Sequence, residues 1–163
     1  GNEALARFNL IQNIEVLNLS EKLNEVGSLI YGDSGVLVFL TSPYTFKLET
    51  LDLSESNLTD RSAIAISQSK KFTQLLQLNL SGNRITDLGA SALANSKYFK
   101  QLKRLNLNFN SIGDLGASSI AGSPYLTNLE SLKLGQNRVS KAGAKALKNS
   151  NTLKNLIPFE KHI

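Results

Sequence analysis

The sequence predicts an α/β solenoid of about five stacked units of 27 residues, each a strand, a turn, a helix and a return. Three observations predict it. Leu48, Leu75, Leu102, Leu129 and Leu156 stand 27 residues apart, and each of the first four opens a near copy of one pattern. Within each copy leucine recurs as L-x-x-L-x-L, which puts alternate side chains on one face of a short strand. The second half of each copy changes to i, i+4 spacing, the period of a helix.

Taken in order, the elements begin inside a unit. Gly1, Ala4-Leu5-Ala6 and Ile14 copy Gly89, Ala92-Leu93-Ala94 and Leu102, so residues 1–13 read as a partial repeat. Residues 14–47 form the next unit, with a strand through Ile14, Leu17 and Leu19 and a helix over Gly35–Phe39. That unit is 34 residues long, and its seven extra residues fall around Asn24 to Gly32. Regular repeats occupy 48–74, 75–101, 102–128 and 129–155, and residues 156–163 are a terminal cap or a truncated repeat. The whole of 1–163 is one solenoid domain. Because it starts mid-unit without a cap, a fragment of a longer protein is expected.

Inside a regular repeat each position has a physical role. Asn83, Asn110 and Asn137 follow the strand, where an amide can both donate to and accept from a turning backbone, whereas Ser56 holds that place in the first regular copy. Leu58, Ile85, Ile112 and Val139 supply the next apolar contact. Asp87 and Asp114 suit a helix start, where the dipole favours negative charge. Gly89-Ala90, Gly116-Ala117 and Gly143-Ala144 let neighbouring helices approach closely. A serine then recurs at Ser42, Ser69, Ser96, Ser123 and Ser150, placed to bond a backbone group as each helix ends.

The pattern LxxLxLxxNxIxDxGAxxLAxS, best kept from Leu75 to Ser123, resembles leucine-rich repeats of the ribonuclease-inhibitor-like class. That resemblance covers Leu48 to Leu156 well and the preceding residues more loosely. It implies a horseshoe arc, with parallel strands on the concave face and helices on the convex face. The 27-residue period, the lack of cysteine and the Lys-, Asn- and Ser-rich wording look like bacterial members, including those delivered into host cells. In that setting the protein would be soluble, either cytoplasmic or secreted into a host cell.

Composition narrows the function. With no cysteine there are neither disulfides nor thiolate metal sites. The longest apolar run, Val36 to Leu40, is too short to cross a bilayer. Sequons at Asn18, Asn57 and Asn79 read as chance matches, two of them in mid-strand. The one histidine, His162, has no nucleophile to serve, and Gly113-Asp114-Leu115-Gly116 lacks the lysine of a phosphate loop. An enzyme, a cofactor and a small-molecule substrate are therefore not expected.

Charge is divided along the chain. Residues 1–60 carry three Lys/Arg against nine Asp/Glu, and residues 61–163 carry fifteen against four. Lys70, Lys71, Lys97, Lys100, Lys145, Lys148 and Lys154 fall on helices and their ends, where they read as a solvated outer face. Only Tyr98 and Tyr125 interleave with them, which disfavours nucleic acid.

A protein partner is the expectation, bound on the concave face. Its acidic end offers Asp52 and Glu55, and its basic end Arg104 and Lys133, with Arg84 and Arg138 beside the edge. Phe109 stands where the other repeats have Glu55, Gly82 and Gln136, and an exposed aromatic beside arginine has the make-up of an interface hot spot. A second candidate surface is the insertion, with Leu29, Ile30 and Tyr31. The alternative function is a regulatory or sensor segment of a larger enzyme or GTPase-activating protein.

Overall fold

A computed structural model of the chain describes residues 15–18, 32–41 and 47–156. Five strands form one parallel sheet in sequential order: β1 Val16–Asn18, β2 Thr50–Asp52, β3 Gln77–Asn79, β4 Arg104–Asn106 and β5 Ser131–Lys133. Between and after them lie helices α1 Asp33–Thr41, α2 Asp60–Gln68, α3 Asp87–Ala94, α4 Asp114–Ala121 and α5 Lys141–Lys148. The register aligns Leu17, Leu51, Leu78, Leu105 and Leu132 in one row. Asn18 and Asp33 occupy the places that Asp52 and Asp60 take one repeat later, so the extra length of the first unit falls between them. The insertion residues Leu29, Ile30 and Tyr31 lie outside the described residues.

The core is a set of apolar columns between sheet and helices. Leu48, Leu51, Leu53 and their equivalents through Leu134 are buried, as are Leu58, Ile85 and Ile112. From the helix side come Ala63, Ile66, Ala90, Leu93, Ala117, Ile120 and Leu147. Phe72, Phe99, Leu126 and Leu153 close the return path, a column the sequence reading did not single out. Short 3-10 turns at Lys70–Phe72 and Lys97–Phe99 aim the two phenylalanines inward. Burying each such side chain contributes about 1.5–3 kcal/mol, and no repeat buries its own set alone.

Polar groups are completed across repeats. Asn110 Oδ1 accepts from the Ile85 amide at 2.9 Å, and its Nδ2 donates to the Leu80 carbonyl at 2.9 Å, both in the preceding repeat. Asn83 does the same for Leu58 and Leu53, and Asn137 for Ile112 and Leu107. At the first of these sites Ser56 is buried, and its hydroxyl donates to the Ser54 carbonyl. The helix-end serines act between units too: the hydroxyls of Ser96, Ser123 and Ser150 donate to the carbonyls of Ser67, Ala94 and Ala121.

The aspartates reach in the opposite direction. Thr59, Thr86, Gly113 and Ser140 are the N-cap residues, so each aspartate sits inside its own helix and caps the next one. Asp60 accepts from the Thr86 amide, the Thr86 hydroxyl and the Gly89 amide at 2.8, 2.6 and 2.9 Å. Asp87 accepts from the amides of Gly113 and Gly116, and Asp114 from Ser140 and the Gly143 amide. A Cβ at Gly116 would stand 2.7 Å from Asp87 Oδ1, so the glycine is required by the carboxylate. Where Ser62 replaces it, the hydroxyl itself donates to Asp33.

These bonds hold two carboxyls below their ordinary value of 3.8. For Asp33, burial pushes upward, but the hydroxyls of Ser62 and Thr59 and the amides of both residues outweigh it. For Asp114 the Ser140 hydroxyl is the main cause, followed by the Ser140 amide. A depressed carboxyl contributes stability above 3.8 and loses it as pH falls through the lower folded-state value. Chemical denaturation across the acid range should therefore show stability falling below about pH 4, with a shallower fall in Asp114→Asn. An acid limb identical in the two proteins would remove the ladder carboxylate as its source.

Candidate functional site

The residues between the strand leucines leave the sheet on the side away from the helices. Thr50, Gln77, Arg104 and Ser131 form one row, and Asp52, Asn79, Asn106 and Lys133 the next. Much of this second row is spent on structure. Asp52 is half-buried, and its carboxylate accepts from the Ser54 amide and hydroxyl at 2.9 and 2.7 Å and from Asn79 Nδ2 at 3.0 Å. Asn79 Oδ1 takes the Ser81 amide and hydroxyl, and Asn106 Oδ1 takes the Asn108 amide. Among the expected acidic site residues, Glu55 is exposed and Asp52 is built into the turn.

The turn itself explains the column that holds Phe109. Glu55, Gly82, Phe109 and Gln136 all adopt left-handed backbone, with φ of 55°, 68°, 54° and 57°. The conformation turns each amide toward the next repeat: the Glu55, Gly82 and Phe109 amides donate to the carbonyls of Ser81, Asn108 and Gly135. Glycine takes this backbone freely, whereas a side chain pays about 1–2 kcal/mol for it. A phenylalanine there is an outlier, and its ring recovers little by burial because it is 61% exposed. The sequence marked Phe109 as odd among its equivalents; the positive φ is the reason those equivalents are glycine or polar.

The cations gather at the β4–β5 end. Arg104, Lys133 and Arg138 are exposed, and none forms an ion pair among the described residues. Pairing of Asn106 with Lys133 sets Lys133 one strand over from Arg104 and two residues further along. The Phe109 amide, in the repeat of β4, bonds the Gly135 carbonyl, two residues after Lys133. Arg84 lies one repeat back, with Nη1 donating to Asn57 Oδ1 at 3.4 Å. Glu130 is already paired with Lys103 at 3.2 Å. The structure thus sets Arg104 and Lys133 on neighbouring strands, with Phe109 bonded beside them to Gly135 and Arg138 beyond the turn after β5, and leaves Asp52 on β2 and Glu55 in the turn after it.

Among the described residues no group of three or more His, Cys, Asp or Glu could hold a metal ion. No helix among them is long and apolar enough to cross a membrane.

With this geometry in view, comparison with known proteins places the chain. A model of two consecutive leucine-rich repeats matches residues 73–122, and a single-repeat model matches residues 46–67 and 125–148. The chain is a leucine-rich-repeat protein, and its fold is the α/β solenoid of that family. No curated protein matches its sequence. Among solved structures, one similar in fold is Leiomodin-1 Actin-Binding Site 2, at 17% identity and a TM-score of 0.51. The match covers 91% of this chain and 88% of that one. Repeats of this family are interaction modules, which is the class of function the fold supports.

The backbone at Phe109 gives a test with an unusual sign. Phe109→Gly should leave stability unchanged or raise it by up to about 1 kcal/mol, because strain is released and little burial is lost. Phe109→Val should lower it, a β-branched residue being poorly suited to positive φ. Denaturant melts of the two variants decide it, and a clear loss in the glycine variant would show the ring is holding the fold.

Proposed function

We propose that the chain binds a protein partner through its strand face, with Arg104, Phe109, Lys133 and Arg138 at the centre and Arg84 at the margin. The observation that carries this reading is Phe109: an exposed aromatic on a backbone that favours glycine, in the same repeat as Arg104, which has no ion pair among the described residues. Strained and exposed positions are retained where they serve recognition, and aromatic and arginine side chains dominate interface energies. The actin binding named for Leiomodin-1 belongs to that protein, and the similarity supports the general class of partner only.

The 27-residue period, the missing cysteine and the Gly-Ala helix starts support a finer placement. They favour ribonuclease-inhibitor-like repeats of bacterial type, and with them an effector that acts on a host protein. The reading as a regulatory segment of a larger enzyme uses the same face, the partner then being another domain of its own protein.

A photo-crosslinking amino acid tests the face directly. Placed at Phe109 and separately at Leu115, which is 75% exposed on α4, it should give discrete protein adducts from Phe109 alone in extracts of the cells where the protein acts. Adducts from Leu115 with none from Phe109 would move the interface to the helix side.

A further inference from the structure

We infer that the β4–β5 end of the strand face takes an extended acidic segment that lays an apolar side chain against Phe109. The inference rests on the strand-face reading and names the partner's chemistry. Charge is its basis. Arg104, Lys133 and Arg138 are exposed and unpaired among the described residues, and Arg84 meets only the neutral Asn57. Among the described residues from 61 onward the carboxylates are occupied: Glu130 by Lys103, and Asp87 and Asp114 by the helix starts that follow them. Arg104 and Lys133, on neighbouring strands, therefore have no carboxylate partner among the described residues, and an acidic ligand would supply one.

Geometry favours an extended ligand. Adjacent strands lie about 4.8 Å apart, and two residues of rise add roughly 6.6 Å, so the Arg104 and Lys133 backbones are about 8 Å apart. Alternate residues of an extended peptide repeat every 6.6 Å or so, and long cationic side chains close the difference. A segment with carboxylates at i and i+2 can meet both cations, leaving an apolar residue beyond them for the Phe109 ring. The far end of the face sets the limit of the site. Glu15, Glu49 and Glu55 are exposed around β1 and β2 and would repel a polyanion crossing the whole sheet. A nucleic acid would also need several aromatic platforms, whereas among the described residues Phe109 is the one large exposed ring.

Fluorescence anisotropy with synthetic peptides tests the assignment. The probes are a Glu-Leu peptide with Glu at i and i+2, Leu at i+4 and Ser between them, its Lys-Leu and Ser-Leu copies with Lys or Ser in place of Glu, and an oligothymidine of similar charge. The Glu-Leu peptide should bind at least about tenfold tighter than the other three, and weaken severalfold between about 0.05 M and 0.5 M salt. The double variant Arg104→Glu, Lys133→Glu should lose that binding, as Phe109→Gly should in part, while Lys70→Glu with Lys97→Glu on the helix side should keep it. Equal binding of Glu-Leu and Ser-Leu, tighter binding of the oligonucleotide, or loss only in the helix-side variant each overturns the proposal. If Phe109 crosslinks persist while Glu-Leu shows no preference, the acidic assignment fails and the strand face stands as the interface. Absence of crosslinks and peptide binding together would remove both.

Discussion

An amide at the bend of one repeat closes the backbone of the repeat before it, and a carboxylate at the start of its helix closes the repeat after it. Asn83 and Asp87 are one such pair, facing opposite ways along the stack. Apolar burial alone would permit units to slide or tilt, since leucine on leucine specifies little. The bonds specify: an unsatisfied buried donor or acceptor costs about 1–3 kcal/mol, so each unit is held in one register by its neighbours' polar atoms. The small residues follow from this. Gly116 exists because Asp87 must come within bonding distance of its amide, and Ala90 and Ala117 keep the helices near enough for that reach.

The same economy shapes the open side. Side chains on the strand face divide into those that finish turns, such as Asp52, Asn79 and Asn106, and those left over. What is left over is unevenly distributed, with exposed carboxylates around β1 and β2 and exposed cations at β4 and β5. Phe109 sits among the cations on a turn that every repeat must make, with a side chain the turn does not want. Its position, unlike its burial, is fixed by the fold, because its amide has to reach the Gly135 carbonyl. A repeated backbone thus holds an exposed aromatic residue at a fixed place in the turn, next to the strand pair that carries Arg104 and Lys133.

Much of this was legible in the sequence, and the failures share a cause. The strand leucines, the asparagine position and the helical halves are written in a period of 27, so their places in the sheet and core could be read directly. Asp87 was legible as a helix-start residue, yet its bonds run to Gly113 and Gly116 in the next unit, which no local pattern displays. Ser96 likewise bonds Ser67 in the unit before, across the stack. Phe72 and Phe99 escaped notice because Leu126 and Leu153 replace them later, which hides one column behind two residue types. Phe109 was visible as an exception, but its backbone strain was not, and Asp52 looked available when its carboxylate was already bonded.

Directional coupling between repeats is measured most directly by amide hydrogen exchange in two alanine variants. Asn110→Ala should unprotect amides in the preceding repeat, Ile85 first, and Asp87→Ala those at Gly113 and Gly116 in the following one. Loss of protection confined to the mutated repeat, or spreading equally both ways in both variants, would contradict an account in which each unit is completed by its neighbours.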